Sequence, residues 1–234
     1  MNKTILVVGA GGGVGFTCVK YFLAAGYNII SIDNNMRQFF FGQDGDVSIK
    51  FEFLKRNTKF FEYNICNNAD MSFVFAKNKI DYIIHAAGQP SHDFPVSVTN
   101  GVYVDFEINT YATLRLLELT RQHYIDAPFL FLSTNKVYGD TPNNIQLKVD
   151  GRRFVFNDER FKNGINETMS IDNSMHSLFG VSKCAADLYV QEYARYFGMK
   201  TACFRCCCLT GAEHAGSQAH GFLNYIIRSA VENR

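Results

Sequence analysis

Residues Gly9 to Gly15 read Gly-Ala-Gly-Gly-Gly-Val-Gly, and their types and spacing imply phosphate chemistry. They stand between an apolar, strand-like run (Ile5 to Val8) and a helix-like segment, the setting a phosphate-binding turn needs. Gly9 permits a tight turn. Gly12 lets the backbone approach a pyrophosphate, and Gly15 lets the helix pack close to the strand. Gly13 and Val14 open the helix, whose free N–H groups and positive end favour phosphate. Asp33 ends the next strand-like run, 18 residues beyond Gly15, and Asn34 follows it. A carboxylate there accepts hydrogen bonds from a ribose 2′-OH and repels a 2′-phosphate. The pattern predicts NAD rather than NADP, a preference that the nearby Arg37 weakens.

Seven cysteines could do metal chemistry: Cys18, Cys66, Cys184, Cys203, Cys206, Cys207 and Cys208. Consecutive strand side chains point to opposite faces, so the last three do not converge on one ion, and no metal site is expected. An odd count in a chain of 234 residues reads as reduced thiols, and with no signal-like N-terminus the expectation is a cytoplasmic protein. Hydrophobic residues make up 47%, charged residues 19%, and the net charge is +1. That balance excludes a disordered chain and offers no footprint for nucleic acid or an anionic membrane. The apolar runs are far shorter than a membrane span.

The elements that must hold these residues alternate. Strand-like runs fall at 5–8, 27–32, 60–63, 82–86, 129–132 and 201–205. Helical periodicity falls at 14–25, 69–77, 103–123, 177–197 and 221–232. Residues 34–57 read as irregular with a helix near 49–55, and the Asn-, Asp- and Gly-rich stretch 140–173 reads as loops. The alternation predicts an α/β fold, a Rossmann-type doubly wound parallel sheet with helices on both faces. The domain reading is a nucleotide-binding unit over 1–205, with 140–173 as a loop-rich insertion, and the start of a partial C-terminal substrate lobe over 206–234.

Further motifs carry a resemblance. Gly9, Gly12 and Gly15 have the GxxGxxG spacing of the extended short-chain dehydrogenase/reductase family. His85-Ala86-Ala87-Gly88 is similar to that family's motif after the fourth strand, beside the cofactor. Asn109 resembles its helix asparagine, and Leu132 to Gly139 resembles the strand and loop carrying its catalytic Ser/Thr, a role that falls on Thr134. Ser-Thr-Asn-Lys-Val-Tyr-Gly-Asp (133–140) and His-Ala-Ala-Gly-Gln-Pro-Ser-His (85–92) look most like the CDP-paratose (CDP-tyvelose) 2-epimerase branch of nucleotide-sugar epimerases. The resemblance implies NAD as cofactor and Ala86, Ala87, Gly88, Asn109 and Lys183 around it, with adenine contact at Asn64-Ile65, where the family often has Asp. It implies a nucleoside-diphosphate 6-deoxyhexose as substrate, CDP-linked and epimerised at C2 by transient oxidation to a keto sugar and re-reduction. It also implies pairing of two copies through helices 103–123 and 177–197.

One departure bears on the chemistry. The family's Tyr and Lys stand four residues apart, on one helical face, so that the ammonium lowers the phenol pKa and the phenolate takes the sugar hydroxyl's proton. Lys183 stands at the Lys position, but Phe179 occupies the Tyr position. A phenyl ring has no proton to exchange. Three readings stay open: proton transfer by His176, Thr134 or a water held by Lys183; a non-catalytic NAD-binding module, or a truncated fragment lacking turnover; or slower chemistry.

Overall fold

The structure, a computed structural model, describes residues 2–91 and 101–233. His92, in the second of the motif strings above, and Arg234 lie outside the described residues. In chain order the elements are β1 (Thr4–Val8), α1 (Gly13–Ala24), β2 (Asn28–Ile32), α2 (Met36–Phe41), α3 (Phe51–Asn57), β3 (Lys59–Phe61), α4 (Asn68–Lys77) and β4 (Tyr82–His85). There follow α5 (Gly101–Asp105), a π-helical turn (Phe106–Tyr111), α6 (Ala112–His123), β5 (Phe129–Thr134), β6 (Leu147–Asp150), β7 (Arg153–Phe156), α7 (Leu178–Phe197), β8 (Thr201–Cys206) and α8 (Phe222–Glu232).

Six strands form one parallel sheet in the order β3-β2-β1-β4-β5-β8. The order reverses direction between β1 and β4, the switch point at which open α/β sheets bind ligands beyond the carboxyl ends of their strands. From Ile5 to Val8, β1 is an unbroken apolar run because both of its faces are covered. On one face, Leu6, Val8, Ile30, Ile32, Ile83, Phe129 and Phe131 pack against Met71, Val74 and Phe75 of α4, Leu116 and Leu117 of α6, and Ala186 and Val190 of α7. On the other, Ile5, Val7, Ile29 and Ile84 pack against Phe16 and Val19 of α1 and Phe51 and Leu54 of α3. Fully burying each such side chain stabilises the fold by about 1.5–3 kcal/mol. Gly26 (φ +84°) turns the chain out of α1, and Gly198 (φ +69°) ends α7 in the left-handed conformation.

Two regions differ from the sequence reading. Residues 34–57 hold two short helices, α2 and α3, rather than one helix in an irregular stretch. Helix α2 buries no residue, so it carries no core-facing stripe for the periodicity to reveal. Within 140–173, β6 and β7 pair as an antiparallel hairpin, not a loop. Its pattern is faint because its apolar residues face outward: Leu147, Val149 and Phe154 are 56%, 70% and 73% exposed.

Candidate active site

The glycine turn is held from both sides. Gly9 and Ala10 donate their N–H groups to Ile32 O at 2.8 and 3.0 Å, which fixes the turn to the end of β2. Gly9 has φ +82°, and a Cβ there would lie 2.5 Å from Ala87 N, so the turn rests directly on the segment after β4. A Cβ on Gly15 would lie 2.0 Å from Gly9 O. Gly12 differs: a Cβ there would meet only Gly9 O, at 3.4 Å, leaving an open face for a phosphate. Gly12 caps α1 with no side-chain hydrogen bond, so the first N–H groups of Gly13 and Val14's turn stay available to an anion.

The Asp33 carboxylate is already placed by two backbone donors, Gly11 N to Oδ2 and Asn35 N to Oδ1, both at 2.8 Å. Burial raises its pKa, and those backbone N–H groups and the Lys50 charge pull in the opposite direction. Asn34 Oδ1 accepts from Met36 N at 3.2 Å and shapes the turn into α2. Lys50 escaped the sequence reading. Its Nζ donates to Gly11 O at 3.0 Å and puts a cation against the turn. Only the folded path from α3 to the glycines reveals it. Past β3, Asn64 Oδ1 accepts from Cys66 N at 2.9 Å, and Ile65 is buried at the same turn.

Beyond β4, Asn109 joins three segments. It sits in the π-helical turn, 1% exposed. Its Oδ1 accepts from Gln89 N at 2.9 Å, and its Nδ2 donates to Gln89 O at 3.1 Å and Ser182 Oγ at 3.0 Å. It thereby fixes the loop carrying Ala86, Ala87 and Gly88 to the start of α7. Asn109→Leu is expected to leave the Gln89 backbone groups buried without partners, lowering stability by about 2–4 kcal/mol and NAD affinity with it. Denaturant melts and NAD titration check this. Neighbouring Asp105 is raised to about 6 by burial, opposed by its hydrogen bond from Gln89. His85 is fully buried and pushed down to about 3 by burial and by Lys183, so it is neutral, with Nε2 2.9 Å from Thr113 Oγ1.

The catalytic candidates meet at the end of β5. Lys183 is 5% exposed on α7, and its Nζ donates to Leu132 O at 2.6 Å and lies 4.0 Å from the centre of the Phe131 ring. Burial brings its pKa down to about 7, against the attraction of Asp187 and of the Cys203 and Cys206 thiols. A Cβ on Gly88 would be 3.8 Å from that Nζ. Phe179, one helical turn earlier, is 8% exposed. Thr134 ends β5, half-buried, with its Oγ1 accepting from Lys136 N at 3.2 Å. His176 has Nδ1 3.2 Å from Lys136 O and Nε2 2.8 Å from Ile171 O. Both ring nitrogens therefore face backbone carbonyls, and a proton-transfer role requires one of these contacts to open.

A buried network supports this strand end, and the sequence reading missed it. Ser133 donates to Asp187 at 2.5 Å, Arg205 grips the same carboxylate at 2.8 and 3.1 Å, and Arg205 reaches the Tyr138 hydroxyl at 2.9 Å. Burial raises the Asp187 pKa, but the hydrogen bonds from Arg205 and Ser133 outweigh it and hold the carboxyl below its usual range. These partners lie on β5, α7 and β8, separated too far in sequence for spacing to pair them.

This cradle and strand order define a nucleotide-binding protein, and comparison places it further. Residues 5–234 match the profile of the NAD dependent epimerase/dehydratase family, and the chain belongs to that family. It is 31% identical over 228 residues to the CDP-paratose 2-epimerase of Salmonella typhi, covering 97% of this chain and 64% of that protein. The UDP-glucose 4-epimerase of Thermotoga maritima, solved with UDP-glucose, superposes with a TM-score of 0.64 at 28% identity, over 86% of this chain and 54% of that one. The UDP-glucuronic acid 4-epimerase of Bacillus cereus, solved with NAD, shares the fold with a TM-score of 0.70 at 20% identity, over 99% and 64%. The chain thus spans less than two thirds of the length of these relatives. NAD fits the residues present: open Gly12, the uncapped start of α1, and Asp33 at the end of β2. Among the described residues no helix is long and apolar enough to cross a membrane.

Proposed function

We propose that this chain carries the NAD-binding and proton-transfer part of an epimerase that inverts C2 of a CDP-linked 6-deoxyhexose through a transient keto sugar. The observation that carries this reading is the 31% identity to a CDP-paratose 2-epimerase, together with Thr134 and Lys183 at one strand end beside the cradle. Bound NAD supplies the reversible oxidation of the sugar carbinol. Gly12, Gly13 and Val14 hold its pyrophosphate, and Asp33 its adenosine ribose. Asn64 and Ile65 flank the adenine, Ala86, Ala87 and Gly88 line its path, and Lys183 holds the nicotinamide ribose. Thr134 orients the sugar hydroxyl. With Phe179 unable to exchange a proton, the proton passes from that hydroxyl to a water held by Lys183, whose amine is part neutral near pH 7. The keto sugar then presents its other face, and the proton returns by the same route. The test is NMR of protein incubated with NAD and CDP-sugars: the C2 epimer supports the reading, and its absence with a full-length protein counts against it.

Residues 206–234 then form the start of the substrate lobe, and 1–205 the nucleotide-binding domain. Pairing through α5 to α6 and α7 belongs to the same proposal, with Tyr103, Phe106, Tyr111, Leu188, Tyr189 and Tyr196 exposed along those helices.

Phe179 favours a second reading, a module that binds NAD without turnover. Turnover by the native protein and by Phe179→Tyr separates the two. A module that only binds NAD turns nothing over and gains nothing from Phe179→Tyr. If water at Lys183 already serves, the added hydroxyl changes the rate little or blocks that water. Single-turnover rates for both proteins decide it.

A further inference from the structure

Arg37 was expected to weaken the preference for NAD by offering a guanidinium to a 2′-phosphate. The structure gives it another occupation. Its Nε and Nη2 donate to Ala215 O at 3.1 and 2.6 Å, and Nη2 also reaches His220 O at 3.3 Å. Its Nη1 and Nη2 lie 3.2 Å from His220 Nδ1, and Nη2 lies 3.4 Å from His214 Nε2. The guanidinium carbon stands 4.7 Å from the centre of the Phe41 ring, which stacks on His220 at 5.6 Å. Burial lowers the Arg37 pKa to about 10, so it stays charged at neutral pH.

Residues 211–221 are anchored at other points too. Lys50 Nζ, which touches Gly11 O, also donates to Glu213 O at 2.5 Å. Glu213 pairs with Lys20 of α1 at 2.8 Å. His214 lies over the turn, its Cα 3.3 Å from where a Cβ on Gly13 would stand. Arg228 of α8 pairs with Asp44 and donates to Gly216 O at 3.1 Å. The loop's own shape depends on Gly216, where a Cβ would lie 2.5 Å from Gly221 O, and on Gly221 at φ +85°.

We propose that residues 211–221 form a strap over the outer side of the dinucleotide cradle, and that Arg37 is its clasp rather than a reader of a 2′-phosphate. The guanidinium already gives Nε and Nη2 donors to Ala215 and His220, which ties it to the strap, and Asp33 opposes a 2′-phosphate. The same contacts join the glycine turn to α8. The strap braces the cofactor's adenosine end and depends on no particular sugar substrate.

The test uses Arg37→Leu and Gly216→Ala, the latter acting within the strap and away from the cradle. Titration with NAD and NADP alone, and limited proteolysis without cofactor, provide the readouts. Both variants are expected to weaken NAD binding about tenfold or more and to speed cleavage within 206–221. NADP is expected to stay the weaker ligand throughout. Unchanged NAD affinity and cleavage in both variants would overturn the proposal. So would a selective loss of NADP binding in Arg37→Leu with Gly216→Ala silent, because that marks Arg37 as a phosphate reader. Neither result bears on epimerisation, so a failure here is distinct from a failure of the proposed reaction.

Discussion

Lys183→Met is expected to lower single-turnover epimerisation about 10²- to 10⁴-fold, the range for loss of a positioned acid–base group. The side chain is held at Leu132 O and covered by Phe131, so Met fills its volume without its amine. NAD affinity should fall much less, because the glycine turn and Asp33 are untouched. The pH dependence gives a second readout. The proton-accepting form of Lys183 is neutral, and burial brings its pKa down to about 7. Forward turnover should therefore rise with pH through about 7 in the native protein, and that limb should vanish in the variant. Stability carries the same sign. Between about 7 and the ordinary lysine value of 10.5, the unfolded chain keeps a proton that the buried amine has released. Unfolding free energy should rise with pH across that window, more steeply in the native protein than in Lys183→Met. A native-like turnover rate in the variant would remove Lys183 from the proton route.

Gly15→Ala is expected to abolish NAD binding and to destabilise the fold by about 3 kcal/mol or more. The new Cβ would lie 2.0 Å from Gly9 O, 2.8 Å from Gly9 C and 3.0 Å from Ala10 Cα. All three are backbone atoms that cannot rotate away, so α1 must move off β1 or the turn must open. Gly12→Ala makes a control of the opposite kind. Its Cβ meets only Gly9 O, at 3.4 Å, so stability should change little while phosphate approach is obstructed. Thermal melts and NAD titration of the two variants separate packing from ligand contact.

These residues also show what the sequence made legible. Strands β1, β2, β4 and β5 are short, largely apolar and mostly buried, β8 is a partly buried edge strand, and their alternation with helices was enough to predict the parallel sheet. The glycines and Asp33 were legible because the phosphate turn is local: strand, turn, helix and acid lie within 30 residues of one another. Lys50, Ser133, Asp187 and Arg205 were not, because their partners come from distant elements and only folding brings them together. Arg37 was legible as a cation near the ribose end but not as a clasp, since Ala215 and His220 are some 180 residues away. The β6–β7 hairpin was obscured because it packs its apolar side chains outward. The π-helical turn at Asn109 gave no signal of its own. No residue type marks the change from i→i+4 to i→i+5 hydrogen bonding there.

The Lys183 result tests one residue, whereas the origin of the hydrogen at the inverted carbon tests the whole account. The decisive measurement follows CDP-paratose carrying deuterium at C2, incubated with protein and NAD in ordinary water and read by NMR. Oxidation and re-reduction within one closed site predict an epimer that keeps its deuterium. An epimer that has lost the label to solvent, or no epimer from a full-length protein that binds NAD, would contradict the account.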